Sequence, residues 1–478
     1  MSDSRDLGIA LSGGGHRAMV FSLGALLAVA DAGLNERTVS ISSVSGGSIA
    51  NGVMLNGPDF GTAASDQLEG HIGEAVRAVA HRGVLLGGAP ATKGYLLLLK
   101  VSVAVALVGL VASLVFGFLQ YWIGLAAGLI VLVVGGAAVW RLFGQRSVRT
   151  EKAIDDEMLG GVKRTMSTLG EGSVHHVICT TELQTGTEFF FSNRMVYGHQ
   201  FGGKLGGPSI RLATAMQASA CVPGAFKART IPLADLGLPP VPATFARKKK
   251  PPKQVSVERI VIDDGGVYDN MADEWEYGFG NRRRRGWPEV VGAQAAAAKL
   301  LLVVNGSGGW NRLKPIVSKG PMFELDGLLR AKDVQYDVST SHRRRALGEL
   351  FRDADGESDD VGGVFAQITS NPYEIPTSFA PRPGRPPDDK ARRAVEAKAF
   401  LDSYGLRESD WDAIVNETSG VATTLEPLGA PICAKLLEHA YVLTTVNLYV
   451  VLGLGTLERT IDRQRFVALC QPVGSSQG

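Results

Sequence analysis

The run Val101–Trp140 contains no charged residue, and it constrains the fold of this chain more than any other feature. A single helix over the run would be roughly 60 Å long, about twice the hydrocarbon thickness of a bilayer. We therefore expect two membrane-spanning helices, over about 101–119 and 121–140. Gln120–Trp122 supplies a polar turn with aromatic residues suited to a membrane interface. The alternative is a hairpin in a soluble core, but soluble folds rarely need so long an uncharged stretch.

Small residues recur at every fourth position along this run, at Gly109, Ser113 and Gly117 and again at Gly124 and Gly128. This spacing lets two membrane helices approach each other closely. We therefore expect the two spans to pack together as a hairpin.

Positive charge flanks both open ends of the predicted hairpin. Lysines precede the first span and arginines follow the second, at Lys93, Lys100, Arg141, Arg146 and Arg149. By the positive-inside rule, both ends face the cytoplasm. The sequence therefore predicts one cytoplasmic domain that is interrupted by a membrane hairpin.

Ser45 lies in a short motif between a predicted strand, Thr38–Ser42, and a helix that begins near Ser48. A serine on such a sharp strand-to-helix turn exposes its hydroxyl, as in a nucleophile elbow. Gly46 and Gly47 allow the tight turn and bring their N–H groups near a reacting carbonyl. An ordinary loop is the alternative, because serine and glycine are common loop formers.

A glycine-rich segment follows the first predicted strand, Leu7–Leu11. Gly13–Gly15 precede a helix that is predicted to run to Ala30. Unpaired N–H groups and the positive end of the helix dipole favour an anion there. The anion is either a phosphate or the oxyanion of a reaction intermediate.

The nucleotide-binding versions of this motif fit poorly. A Walker loop requires lysine and then serine or threonine after its last glycine, where this chain has His16 and Arg17. A dinucleotide fingerprint requires a third glycine, where this chain has Ala18, and an acidic residue after the second strand. That strand leads to Ser45 instead.

Two carboxylates follow the predicted strand Ile260–Ile262, at Asp263 and Asp264, before Gly265 and Gly266. Open α/β sheets place ligand-facing groups at such strand ends. Because successive side chains of a strand point to opposite faces, we expect only one of the two aspartates to reach the site. Asp264, beside the glycines, is the candidate.

Together, these motifs resemble the patatin-like phospholipase family. The resemblance rests on Gly13–Ala18, Ser43–Gly47 and Asp264–Gly266, with further matches at Thr180–Gly186 and Ala218–Gly224. The three main motifs occur in the family's order, and the likeness covers most of residues 5–310 outside the apolar insert. The chain departs from the family at Ser43 and Ala18, where glycine is common.

The resemblance implies an α/β protein with a patatin-like three-layer fold and a mostly parallel central sheet. It implies a lipid acyl hydrolase of the phospholipase A or lysophospholipase type, which forms an acyl-enzyme through a serine–aspartate dyad without histidine, metal or cofactor. The implied roles are nucleophile for Ser45, general base for Asp264, oxyanion hole for Gly13, Gly14 and Gly15, and support for Arg17, Gly47, Gly265 and Gly266.

The motifs and the apolar run divide the chain. We expect the catalytic domain over 5–94 and 150–310, the hairpin over 95–145, and a mostly helical extension over 311–478 that packs on the catalytic domain. Four cysteines, at positions 179, 221, 433 and 470, lack metal-ligand spacing. The net charge of +2 gives no indication of a nucleic-acid-binding surface.

Three basic clusters stand out against this balanced charge. Arg247–Lys253 and Arg282–Arg285 are predicted loops, and Arg343–Arg345 is a candidate helical cluster. Each is either an ordinary solvated surface or a contact for anionic lipid head groups.

The predicted partner is a phospholipid membrane, which serves as anchor and substrate source. A serine esterase acting on neutral lipids or small esters is the second functional hypothesis. A noncatalytic membrane scaffold is the third, and the presence of both Ser45 and Asp264 disfavours it.

Overall fold

The computed structural model describes residues 5–84, 90–247, 250–278, 298–308, 321–353, 361–381, 384, 386–457 and 462–472. The strands are β1 (Leu7–Leu11), β2 (Thr38–Ser43), β3 (His175–Glu182), β4 (Thr187–Ser192), β5 (Met195–Gly198), β6 (Gly202–Leu205), β7 (Arg229–Pro232), β8 (Val241–Arg247), β9 (Lys250–Val257), β10 (Arg259–Asp263), β11 (Leu300–Asn305) and β12 (Gly362–Gln367). The α-helices are α1 (Gly15–Asp31), α2 (Gly46–Asn56), α3 (Ser65–His81), α4 (Pro90–Phe118), α5 (Trp122–Gly144), α6 (Arg146–Met158), α7 (Leu212–Ser219), α8 (Pro321–Asp353), α9 (Glu374–Ser378), α10 (Asp389–Ser403), α11 (Glu408–Gly420), α12 (Ala430–Asn447) and α13 (Arg463–Cys470).

Among the described residues, ten strands form the central sheet, in the order β12-β11-β1-β2-β3-β4-β5-β6, with β10 paired to β3 and β7 paired to β10. The run from β12 to β3 is parallel, whereas β4, β5, β6, β7 and β10 pair antiparallel. The predicted α/β class with a mostly parallel central sheet is confirmed. The parallel strands β1 and β2 carry the glycine-rich and Ser45 motifs at their carboxyl ends, where open sheets place ligand-facing groups, whereas the Asp264 motif follows the antiparallel strand β10.

Apolar side chains cover both faces of this sheet, as expected for parallel strands. On one face, Ile9 of β1 lies in the same core as Phe21 of α1 and Leu437 of α12. On the other face, Ala10 belongs to a second core with Trp275 and Leu347. Because successive side chains of β1 point to opposite faces of the sheet, this one strand contributes to both apolar cores.

The predicted C-terminal extension contributes to the same sheet. Its strand β12 pairs in parallel with β11, and its helix α12 packs against α1. A Cβ on Gly24 of α1 would lie 2.6 Å from the carbonyl oxygen of Leu437, so glycine is needed for this close approach. Further along α12, Tyr441, Val442, Leu443 and Val446 are buried in the same core.

One basic segment differs from its prediction. The sequence predicts a loop over Arg247–Lys253, but β8 and β9 pair antiparallel through this region, with residues 248–249 outside the described part of the chain. Prolines at 251 and 252 favour a loop, yet the ribbon is only two strands wide, and edge strands tolerate proline. The cluster Arg282–Arg285 lies outside the described residues.

Helices α4 and α5 form an antiparallel pair that carries the apolar run. Lys93–Phe118 has a mean hydropathy of 2.5 and Trp122–Gly144 one of 2.3, so both are long and apolar enough to cross a membrane. Most of their surface is exposed, including large apolar side chains such as Leu114 and Trp140. They are therefore not core helices of the folded domain.

Small residues line the contact between these two helices. A Cβ on Gly109 would collide with the backbone nitrogen of Leu132, and a Cβ on Gly128 would lie 2.7 Å from the backbone nitrogen of Ser113. The backbones approach this closely only because side chains are missing at these positions.

The hairpin offers a matched pair of glycines to test this packing. Gly109→Leu should separate the helices and destabilise the protein by about 1–3 kcal/mol, because added volume in a tight contact forces the backbone to shift. Gly136→Leu is the control, since a Cβ there meets nothing within 4 Å. Thermal unfolding in detergent measures both, and equal midpoints for the two variants would contradict the close packing.

Candidate active site

Strands β2 and β10 approach each other end to end along one edge of β3. Strand β4 occupies the opposite edge, from Val177 to Glu182. On the shared edge, β2 ends with Ser43 opposite Ile178, and β10 ends with Asp263 opposite Thr181. Three residues of β3 span about 10 Å. The segments that follow the two strands, which contain Ser45 and Asp264, therefore enter the same gap.

Ser45 has the strained backbone of a nucleophile elbow. Its φ is 51° and its ψ is −119°, a region that non-glycine residues rarely occupy. The turn is tight because its glycines pack on backbone: a Cβ on Gly46 would collide with the carbonyl oxygen of Gly15, and one on Gly47 with that of Leu11. Helix α2 begins directly after Ser45.

Buried serines hold this turn in place. The N–H of Ser45 donates to Ser219 Oγ at 3.0 Å, and Ser48 Oγ lies 2.8 Å from the same oxygen. Ser219 Oγ in turn donates to the carbonyl of Cys179 on β3 at 2.6 Å. Ser219 lies in the Ala218–Gly224 motif, but the sequence did not indicate this role.

Asp264 is buried at the start of a short turn. Its Oδ1 accepts the N–H of Gly266 at 2.8 Å, and its carbonyl accepts the hydroxyl of Thr181 at 2.8 Å. A Cβ on Gly265 would lie 2.7 Å from the Val44 side chain. The residue after Asp264 thus touches the residue before Ser45.

Asp263 has a different role from its neighbour. Its Oδ1 accepts the N–H of Asp264 at 3.0 Å, which supports the turn. Asp264 is the one of the two that directly precedes the glycines of the next turn.

The glycine loop contributes N–H groups from the β1 side. Gly14 and Gly15 both have positive φ, 138° and 62°, which glycine adopts readily. Within the described part of the chain, the N–H groups of Gly14, Gly15 and Gly46 donate to no protein acceptor. They are therefore available to an anion at the amino ends of α1 and α2.

Gly13 requires a correction to the predicted oxyanion hole. Its N–H donates to the carbonyl of Asn270 at 3.0 Å, so this donor is already used within the protein. The side chain of Asn270 also bounds the site, since a Cβ on Gly13 would collide with its Oδ1 and one on Gly266 would lie 2.6 Å from it. Sequence reasoning missed Asn270, which carries no motif of its own.

Arg17, in the first turn of α1, joins the end of the glycine loop to two distant segments. Its Nε donates to the carbonyl of Gly306 at 2.9 Å, and another of its nitrogens donates to the carbonyl of Val421. The segment Val421–Glu426, which we call the covering segment, also receives the N–H of His16 at the Thr424 carbonyl, at 2.8 Å. The glycine loop is thus covered by a distant part of the chain that the sequence did not indicate.

Three buried histidines are uncharged at pH 7. Burial lowers the pKa of His16, His176 and His439 to about 4 in each case, so all three are neutral at pH 7. His16 Nδ1 lies 2.8 Å from the carbonyl of Glu426, in the covering segment. Its role there is to hold that segment.

Arg343, from the third basic cluster, pairs with acids of the segment after Asp264. Its guanidinium lies 2.8 Å from both Asp273 and Glu274, and 3.2 Å from Asp269. Burial and the nearby Asp269 raise the pKa of Asp273 to about 7. These ion pairs fasten α8 to the segment that follows Asp264, so Arg343 is not a solvated residue available to lipid head groups.

The solved structures that match this chain are distant from it in sequence. The chain matches no protein-family model and no curated protein. Solved structures that match it include human GIVD cytosolic phospholipase A2, with a TM-score of 0.42, 14% identity, and coverage of 98% of this chain and 60% of that one. The same enzyme in complex with methyl gamma-linolenyl fluorophosphonate and terbium chloride matches with a TM-score of 0.39 and 12% identity, over 98% of this chain and 60% of that one. The chain thus spans 60% of the length of these matches, and likenesses this distant assign it neither a family nor an activity.

Two glycines with the same backbone conformation test how tightly the glycine loop is covered. Gly15→Ala should cost about 1–2 kcal/mol of backbone strain plus about 1–3 kcal/mol of overlap, because its Cβ would collide with the Thr424 carbonyl. Gly33→Ala should cost only the strain, since its φ is 68° and nothing lies within 4 Å of its Cβ. Thermal unfolding measures the stability of both variants. Equal losses of stability would show that the covering segment moves away from the new Cβ at no cost, which would contradict a tightly covered loop.

Proposed function

We propose that this protein is a membrane-anchored lipid acyl hydrolase that cleaves carboxylic esters through Ser45 and Asp264. The observation that carries the proposal is the meeting of a strained, buried serine turn with a buried aspartate turn at one edge of β3. The available N–H groups of Gly14, Gly15 and Gly46 support it further. Strain of this kind persists only where the surroundings enforce it, which is typical of functional sites.

In the first half-reaction, Ser45 Oγ attacks the ester carbonyl carbon and its proton passes to the Asp264 carboxylate. The carbonyl oxygen becomes an oxyanion that accepts hydrogen bonds from the glycine N–H groups. The carbon–oxygen bond to the alcohol then breaks, and the alcohol leaves with the proton from Asp264. The acyl group remains on Ser45 as an ester.

In the second half-reaction, Asp264 takes a proton from water while the water oxygen attacks the acyl carbon. The bond to Ser45 Oγ breaks, Ser45 recovers the proton, and the fatty acid leaves. Atoms and charges balance without a cofactor. The acyl-enzyme therefore forms and decays on the same two side chains.

Aspartate is a weak base for a serine hydroxyl, so proton transfer must accompany attack. Much of the rate must then come from stabilisation of the oxyanion. A single preorganised donor typically contributes about 10²–10³ in rate. The amino ends of α1 and α2 supply such donors next to Ser45.

The apolar helix pair supports a lipid substrate. The exposed apolar surface of α4 and α5 fits insertion into a bilayer, and the basic residues at its open ends fit a cytoplasmic catalytic domain. Phospholipid can then reach the site from the membrane that holds the enzyme. An esterase acting on neutral lipids or small esters is the second candidate, favoured if soluble esters prove to be the better substrates.

Variants of the two central residues test the dyad on phospholipid vesicles. Ser45→Ala should reduce fatty acid release to the level without enzyme, and Asp264→Asn should reduce it by about 10²–10⁴, the usual contribution of a general base. Asp263→Asn is the matched control. It keeps an oxygen that can accept the Asp264 N–H, so fatty acid release should fall by a few-fold at most. Release by Ser45→Ala equal to that of the wild type would contradict the proposal, as would equal effects of the two aspartate variants.

Deletion of Val101–Trp140 separates membrane supply of substrate from chemistry. We expect hydrolysis of vesicle phospholipid to fall far more than hydrolysis of a soluble short-chain ester, because the catalytic elements lie outside the hairpin. The two substrates are assayed with the same preparation. Equal losses on both would assign the hairpin a structural role instead.

A further inference from the structure

One segment touches both central residues of the proposed site. This segment, Ser219–Lys227, is called the bridging segment below. At its start, Ser219 Oγ accepts the N–H of Ser45 at 3.0 Å. Two residues later, the carbonyl of Cys221 accepts the N–H of Asp264 at 3.3 Å, in a bond shared with Asp263. The backbones of nucleophile and base are thus held by the same short stretch of chain.

The other end of the bridging segment is bound to the residues that directly follow the apolar helix pair. Ser147 Oγ donates to the carbonyl of Lys227 at 2.7 Å and accepts the N–H of the same residue at 3.0 Å. Ser147 is 3% exposed, whereas Lys227 is an exposed residue, so the two bonds are partly buried. Arg146 adds a bond from its Nε to the carbonyl of Ala225 at 2.8 Å.

Helix α6, which carries Ser147, is bound to residues that lie before and after the bridging segment in the chain. The buried carboxylate of Glu151 pairs with Arg211, just before α7, and with Arg229, at the start of β7, at 2.5 Å in the latter case. It also accepts the hydroxyl of Thr214 at 2.9 Å. The helix is therefore a firm support from which Ser147 can hold the segment.

Within the segment, the two ends are joined. Cys221 Sγ lies 3.1 Å from the carbonyl of Lys227, the oxygen that also accepts the Ser147 hydroxyl. A shift of Lys227 is thus passed to Cys221, whose own carbonyl contacts Asp264. The route from Ser147 to Asp264 consists of the 2.7 Å bond to Lys227, the 3.1 Å contact of Cys221 Sγ and the 3.3 Å bond from the Asp264 N–H to the Cys221 carbonyl.

We infer that Ser147 is a positioning residue for the Ser45–Asp264 pair, acting through the bridging segment from the base of the membrane hairpin. The inference rests on the proposed function. It assigns the exit of the hairpin a second role besides anchoring: the same turn that leaves α5 sets the separation of nucleophile and base. Small misplacements matter here, since a shift of about 1 Å can cost 10²-fold in rate.

Ser147→Ala tests the inference in the full-length protein in detergent, with a soluble short-chain ester as substrate. Loss of the hydroxyl should lower kcat by about tenfold with KM changed less than twofold, because the substrate contacts remain while the pair is misplaced. Ser403→Ala is the matched control, since the hydroxyl of this exposed serine donates to the carbonyl of Phe400 in its own helix. Ser147→Thr, which keeps a hydroxyl, should recover most of the kcat.

A second readout separates positioning from mere stability. A fluorophosphonate that labels the reactive serine should react with Ser147→Ala at a rate lowered in proportion to kcat, while the final labelled fraction equals that of the wild type. The inference would be overturned if Ser147→Ala had the labelling rate and kcat of the wild type. It would also be overturned if the variant lost only part of the final labelled fraction, with its labelling rate unchanged. Failure of the proposed function is distinct, because the wild type itself would then neither label at Ser45 nor hydrolyse the ester.

Discussion

The site depends on a shared edge of β3, where β2 stops and β10 arrives from the opposite direction. Because β4 occupies the other edge, both strands must use this one, and their ends face each other across Cys179 and Thr180. The polypeptide must turn sharply after each strand. The turns place Ser45 and Asp264 in the same gap, and the amino ends of α1 and α2 border it.

Close backbone packing maintains this arrangement. Glycines at 15, 46, 47 and 265 each lie against a carbonyl oxygen at a distance that leaves no room for a side chain. Buried hydroxyls complete the frame, above all that of Ser219, which joins the Ser45 turn to β3. The strained φ of Ser45 is thus enforced from several sides, which is the condition under which such strain persists.

The sequence predicted what is local and missed what is distant. The strand, turn and helix around Ser45, and the glycines before α1, follow from residue types that are adjacent in the chain. The α/β class with a mostly parallel sheet follows from the same alternation of strands and helices. Asn270, the covering segment at Val421–Glu426 and the strand β12 act through contacts across the fold, so no local pattern indicates them. The prediction for the Gly13 donor was wrong for the same reason, since its acceptor is the carbonyl of Asn270.

The proposed function requires acyl groups of phospholipids to pass through an ester on Ser45. The most direct test is acid quenching of full-length protein during turnover of an isotope-labelled phospholipid, followed by mass spectrometry of its peptides. We expect the labelled acyl mass on the peptide that contains Ser45, and its absence from the same peptide of Ser45→Ala. Labelled fatty acid released by the wild type with the acyl group on another residue, or with continued release by Ser45→Ala, would contradict it.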